Sequence, residues 1–390
     1  MSAGTRHVEM MSRLHGWEYL IVRASHSKIG DARAASSKGF LTIPSTPIRG
    51  RETDRIVNWI SYALNSALKQ AFRPPPDIVY ASSPHLLAGV AGWSLARRWN
   101  VPFVLEVRDL WPRVLLDMNR LDESSLAYQV LQRMESFLYS EADRLVVLAE
   151  GSRRYLLDRQ VDPDRITLIP NAADPNDFLV TEDRASLRQR FGMSRFTFVY
   201  TGAHGHANGL DRLLRAAKSL DDRADVLLVG DGPTKKALRD QAEDERLANV
   251  RFLDPIPKDQ IPSLLKAADA GVHVLDDVAL FHYGVSPNKV FDYLAAGLPM
   301  LTNVPGEVGE FVTRSGGGIA VGSDGLADGM KEISSMTQES LAKMSLAGKR
   351  HMGEHQSRTI MTERLQGMLD ALVWSPRGGS YGVVEDRHPP

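Results

Sequence analysis

The chain has 390 residues, 43% of them hydrophobic and 24% charged, with a formal net charge of −1 and no cysteine. This length exceeds what a single core serves comfortably, so two domains are expected, and the lack of cysteine excludes disulfides, thiolate metal sites and a cysteine nucleophile. No run approaches the roughly 20 apolar residues that span a bilayer, and the first residues lack a basic stretch followed by an apolar one, so the sequence reads as a cytoplasmic protein without a membrane span.

Charge is spread unevenly. Residues 1–75 hold eleven Lys or Arg against five Asp or Glu, a surplus of six, which leaves −7 for the remainder. A basic end of this kind suits the inner face of an anionic membrane, and it equally suits a solvated face with no partner.

In chain order, Gly4 leads straight into a helix-like stretch over 6–14. Doubly wound domains normally begin with a strand and a glycine turn, so the first strand is expected to be missing or to lie upstream. Strands are then predicted over 17–22, 78–80, 102–107, 145–148 and 166–169. The helical stretch 56–72 carries an apolar stripe at 56, 60, 63, 67 and 71. The polar segment 171–194 reads as a joint. After it the βα pattern restarts, with strands at 196–201, 225–229, 249–253, 270–274 and 299–302. Helices are predicted over 337–373, and the last seventeen residues, rich in Pro, Gly and charge, read as a loose tail.

Three turns in the second half share one design, a buried strand emptying into small residues that open a helix. Amides at such helix starts favour phosphates. In FVYTGAHGHANGL, Gly202, Gly205 and Gly209 would let a backbone approach a ligand, and LLVGDGPTK offers Gly230 and Gly232. In HYGVSPNKVFDYLAAG, Ser286 suits an N-cap and Pro287 the first helical position. Asn288 and Lys289 then face an anion, and Asp292, one turn deeper, is placed to accept from a diol. A capped surface helix with solubilising charges is the alternative.

Other nucleotide chemistries fail on spacing. There is no G-x-x-x-x-G-K-[ST], and no G-x-G-x-x-G with an acid about twenty residues on. Asp162-Pro-Asp164 reads as a turn, and no dense ligand cluster suggests a metal.

Together these motifs resemble the retaining glycosyltransferases of family 4, which have the GT-B fold of two Rossmann-like domains facing across a cleft. In the N-terminal half the likeness rests on GTRH, ASSPHLLAG, VPFVLEVRDLWP, ADRLVVLAEGSRRYL and LIPNAADPNDF. In the C-terminal half it rests on the Gly202 loop with LDRLLRAA, on VGDGP, VRFLDPI and AGVHVL, and on SPNKVFDYLAAGLPML. Within the family the chain is most similar to the fucosaminyltransferase-like branch of bacterial O-antigen and capsule assembly.

The resemblance implies residues 1–175 as an acceptor-side domain and 176–350 as a nucleotide-sugar domain. It further implies that 351–373 is a helix crossing back to the first domain, and that 374–390 is the tail. It places Asp292 at the second Glu of the family's pattern of Glu, seven residues, Glu, where the carboxylate binds the donor ribose. The first Glu corresponds to Gly284. Relatives hold the diphosphate with an Arg and a Lys where this chain has Ala203 and Asn208, which shifts the expected charge to Lys289 with His206. Ile256 matches the position whose backbone pairs with the base, and Gly230 and Gly232 match the turn beside the donor. Arg108, with Asp109, stands where other branches have a His, facing the cleft; Gly4, His85 and Trp111 fall on the acceptor side.

The resulting expectation is a metal-independent enzyme without cofactor and without a nucleic-acid partner. It moves a sugar from a UDP-linked donor to a saccharide or polyprenyl-linked acceptor, with Lys289, Arg108 and Asp109 nearest the chemistry. A silent nucleotide-sugar-binding subunit and a sugar-nucleotide epimerase of the same fold are the rival readings.

Overall fold

The computed structural model describes residues 5–25, 39–48, 52–117, 120–220, 222–276 and 284–374. Its first half runs α1 (Thr5–Met11), β1 (Ile21–Ala24), β2 (Phe40–Ile43), α2 (Glu52–Gln70), β3 (Val79–Ser82) and α3 (Leu86–Trp99). It continues with β4 (Phe103–Val107), α4 (Arg113–Asp117), α5 (Leu126–Glu141), β5 (Arg144–Val147), α6 (Glu150–Asp158) and β6 (Ile166–Leu168). Strands β3 to β6 form a parallel sheet in sequential order, and every residue of β4 is buried, as a central parallel strand that is apolar except at Glu106 requires.

After α7 (Arg184–Arg190) the second half adds β7 (Phe196–Thr201), α8 (Leu210–Lys218), β8 (Ala224–Val229), α9 (Lys235–Asp244), β9 (Val250–Leu253) and α10 (Ile261–Ala267). Next come β10 (Ala270–His273), α11 (Asn288–Ala296), β11 (Met300–Thr302), α12 (Glu307–Ser315), β12 (Gly318–Ala320) and α13 (Leu326–Ser335). These strands pair in parallel in the order β12-β11-β10-β7-β8-β9. The order reverses between β7 and β10, and the crevice outside the carboxyl ends of strands at such a reversal is where open α/β sheets take ligands. Short β12, which the sequence pattern does not single out, closes the edge beside β11.

Two helices finish the chain. α14 (Gln338–His355) packs on α11, while α15 (Arg358–Trp374) returns to the first domain. There Met361, Leu365 and Leu369 share a core with Met10, Val104, Val146 and Ile169.

β1 and β2 pair only with each other, in parallel. A cavity of about 1160 Å³ separates them from the edge of β3 and is lined by Ile21, Val22, Tyr80 and Ser82 among others. Among the described residues no strand fills that interval, where a doubly wound sheet would carry its first strand.

Helix α2 is turned the opposite way from a core helix. Its inner side buries Asn58, Ser66 and Gln70, while Ile56, Ile60, Leu64 and Leu68 on it and Phe72 just beyond its end are exposed. The stripe read at 56 and 60 therefore does not enter the core. Trp59 and Tyr62 face inward instead: Trp59 stacks on His85 at 4.8 Å, and the Tyr62 hydroxyl donates to the Val22 carbonyl at 3.1 Å.

Candidate functional site

The switch point between β7 and β10 brings the glycine loop after β7 onto the start of α11. Lys289, in the first turn of α11, donates from Nζ to the Tyr200 hydroxyl at 2.9 Å and lies 4.1 Å from the centre of that ring. Gly202 has φ +145, and a Cβ there would sit 3.4 Å from Lys289 Nζ. Among the described residues no carboxylate pairs with this ammonium, and burial pushes its pKa down to about 7. A half-buried cation beside helix-start amides, with no acid partner among the described residues, has the chemistry to receive an anion.

Asp292 sits one turn deeper, 8% exposed, with Oδ1 lacking any hydrogen-bond partner, and burial raises its carboxyl to about 6. An orphaned buried acceptor is costly to maintain, by about 1–3 kcal/mol or more for a charged group, unless a ligand hydroxyl completes it. Tyr293 is locked behind the site, its hydroxyl accepting from the Thr201 amide at 2.8 Å.

Several residues read from the sequence play other parts. Ser286 does not cap α11. Pro287 holds the N-cap position without a side-chain bond, while Ser286 Oγ accepts from the Asn171 amide at 2.8 Å, a partner 115 residues away. Gly230 and Gly232 are required by packing between loops: a Cβ at Gly230 would lie 1.9 Å from the Gly202 carbonyl oxygen, and one at Gly232 2.3 Å from that of His204. Gly209, at φ +55, turns the chain into α8 against the backbone of 275–276. These three glycines fit neighbouring backbone closely, which accounts for them without a ligand.

His206 is exposed on a short 3-10 turn that also holds Asn208. It is His204 that points inward, fully buried, with both ring nitrogens unpartnered and its pKa pushed down to about 4 by burial. His273 is likewise buried, Nδ1 3.0 Å from Thr302 Oγ1 and Nε2 unpartnered. Ile256 is half-buried against the second domain's core, and Asn288 opens α11.

On the facing domain, Arg108 lies at the end of β4 on the wall of the large cavity, and Asp109 is exposed beside it. His85 caps α3, Nδ1 accepting from the Ala88 amide at 3.2 Å; burial lowers its pKa to about 4, so it is a neutral ring at pH 7. Trp111 meets Trp59 edge-on at 5.6 Å, and its Nε1 is buried without a partner. Gly4 lies outside the described residues.

A buried polar network of this domain, which the motifs do not single out, centres on Glu106 in β4. Its carboxylate, fully buried, accepts from Arg6 Nε at 3.2 Å, His7 Nε2 at 2.8 Å, Tyr80 at 2.7 Å and Ser82 at 3.1 Å. Burial alone would raise this carboxyl, but facing His7 and Arg6 it is held well below the usual carboxylate range. A charge inside an otherwise apolar central strand is the signal that would have found it. Among the described residues no group of three or more His, Asp or Glu is placed to hold a metal ion.

Comparison with known proteins matches both halves. Residues 8–172 match the family described as a glycosyl transferase 4-like domain, and residues 195–336 match glycosyl transferases group 1. The probable glycosyltransferase WbjE of Pseudomonas aeruginosa is 28% identical over 212 residues, 54% of this chain and 52% of that one. A D-inositol 3-phosphate glycosyltransferase of Corynebacterium glutamicum is 25% identical over 266 residues, 64% of this chain and 63% of that one. The chain thus spans between half and two thirds of the length of these curated relatives. Among solved structures, Anabaena Alr3699/HepE in complex with UDP superposes with a TM-score of 0.67 at 18% identity, covering 86% of both chains.

Two parallel-sheet domains with a crevice at a switch point give the chain the GT-B fold, and each domain matches a glycosyltransferase family model. The first domain is GT4-like, by the match over residues 8–172.

Proposed function

We propose that the protein transfers a glycosyl group from a UDP-sugar to an acceptor hydroxyl with retention at the anomeric carbon. The observation that carries this reading is the half-buried Lys289 at the start of α11, with no acid partner among the described residues, and the orphaned Asp292 carboxylate one turn deeper. The ammonium and the helix amides take the diphosphate, and Asp292 takes the ribose diol. The structural neighbour HepE, solved with UDP and with UDP-glucose, lends support to this donor class.

As the bond between the anomeric carbon and the phosphate oxygen breaks, Lys289 and the amides stabilise the negative charge that develops on the departing diphosphate. The acceptor hydroxyl enters on the same face and gives its proton to the departing phosphate oxygen, so no protein nucleophile is required. Arg108 and Asp109 face the acceptor. Calorimetry with UDP-glucose in EDTA is the test: binding without metal is expected, and binding that requires Mn²⁺ or Mg²⁺ overturns the metal-free reading.

The acceptor is a lipid-linked saccharide of cell-surface polysaccharide assembly, met at an anionic membrane. The outward stripe of α2 supports this, with Phe72 86% exposed and Arg55, Lys69 and Arg73 exposed around it. Among the described residues no helix is long and apolar enough to cross a membrane, so contact would be made from the surface. Each basic residue near such a surface contributes about 1 kcal/mol before screening. Flotation with anionic vesicles at low salt is expected, together with its loss on neutral vesicles and in the Leu64→Asp/Leu68→Asp variant. Equal flotation on both vesicle types would exclude the electrostatic contact.

A further inference from the structure

Helix α6 of the first domain begins without a cap of its own. Ala149 occupies its N-cap position, buried, with no side-chain oxygen to accept the first amides. The second domain supplies what is missing. Glu307, the first residue of α12, accepts the Glu150 amide on Oε1 at 2.8 Å and the Gly151 amide on Oε2 at 3.2 Å. A carboxylate on the first amides of a helix satisfies two orphan donors and the positive end of its dipole together.

The space for that carboxylate is made by Gly284. At its φ of +82 a Cβ would lie 2.4 Å from Glu307 Oε2 and 3.1 Å from the Ala149 Cβ, so any side chain would collide with the contact. Two residues on, Ser286 is fixed from the first-domain side by Asn171, whose amide donates to its Oγ and whose Nδ2 donates to its carbonyl at 2.6 Å. The segment 284–289, which ends at Lys289, is thereby held at two points that both depend on how the domains meet.

We propose that Glu307 is a positioning residue for glycosyl transfer. Its carboxylate caps α6 across the cleft, latches the domains together over 284–289, and so sets where Lys289 meets the donor. The consequence for turnover rests on the donor reading above; the latch itself does not.

The latch is tested first on the unliganded protein, by hydrogen exchange at the amides of residues 150 and 151 and by the radius of gyration in solution scattering. In Glu307→Ala, exchange at both amides is expected to rise at least tenfold and the radius of gyration to increase. Glu307→Gln, which keeps one accepting oxygen, should fall between. Unchanged exchange in both variants overturns the contact.

A purely local cap is separated from a latch by adding Ala149→Ser to Glu307→Ala, which provides an accepting oxygen within the first domain. Protection at 150 and 151 is expected to return while the expanded dimension persists. Turnover of UDP-glucose should stay at least tenfold down in kcat, with KM changed less than threefold. Recovery of both compactness and kcat would reduce Glu307 to a helix cap and overturn the proposal. Should UDP-glucose fail to bind the parent protein, the donor reading falls while exchange and scattering still decide the latch.

Discussion

Lys289→Ala is expected to weaken UDP-glucose binding by about 1.5–3 kcal/mol, the scale of a hydrogen bond to a charged group. The variant should also lose a pH dependence that the parent shows. Burial holds the Lys289 pKa near 7, and no acid among the described residues stabilises its proton. An incoming diphosphate raises that pKa. Below about pH 7 the cation is already present and affinity is level until Asp292, raised to about 6, takes up a proton; above pH 7 each binding event must take up a proton, so affinity falls by up to about tenfold per pH unit. A sugar-esterified diphosphate has no ionisation of its own in this range, which makes UDP-glucose a cleaner probe than UDP. Calorimetry from pH 6 to pH 9 decides the matter: a parent affinity as flat as that of Lys289→Ala rules out Lys289 as the diphosphate ligand. In the same assay Asp292→Asn should weaken UDP-glucose and leave inorganic pyrophosphate unaffected, because only the nucleotide brings a diol to the orphaned oxygen.

Glu106→Ala is expected to destabilise the first domain by about 3–5 kcal/mol, the cost of stranding a buried charge whose partner has been removed. Arg6 keeps the Ile169 and Pro170 carbonyls as partners, at 2.6 and 2.8 Å, but its charge is left uncompensated, and the hydroxyls of Tyr80 and Ser82 lose their acceptor. Glu106→Gln, which retains an accepting oxygen, should cost less. Because the folded-state pKa of Glu106 lies below its unfolded value, the stability it confers is complete above the ordinary glutamate pKa of about 4.3 and is lost as pH falls through the depressed value. Urea unfolding at neutral pH measures the difference. A loss under about 1 kcal/mol for Glu106→Ala would mean that the network is solvated in solution.

The two outcomes differ in how visible they were in the chain. Alternation of short apolar runs with helical stretches determines the two parallel sheets, because a strand buried on both faces is mostly apolar. Every strand predicted from residue 78 onward lies within about two residues of its place in the sheets. The helix start at 286–292 was legible for the same local reason. Proline and small polar residues before an apolar-periodic run mark an N-terminus, and a Lys and an Asp inside its first turns share that end.

What the sequence alone did not decide is every contact made at long separation. Periodicity places an apolar stripe on α2 but carries no sign for inward or outward. Only the cavity beside β1 and β3 shows that Asn58, Ser66 and Gln70 face in. In the Gly202 loop the sequence singles out His206, whereas the structure buries His204, whose backbone packs against the 230–232 turn. Ser286 satisfies the rule for a helix cap, yet Asn171 captures it from 115 residues away. Glu307 caps a helix 157 residues earlier in the chain. Local rules count the donors and acceptors that a turn exposes, whereas the partner for each is chosen by which domain faces it. That choice is made by burial and closure of the cleft, quantities that exist only once both sheets have formed.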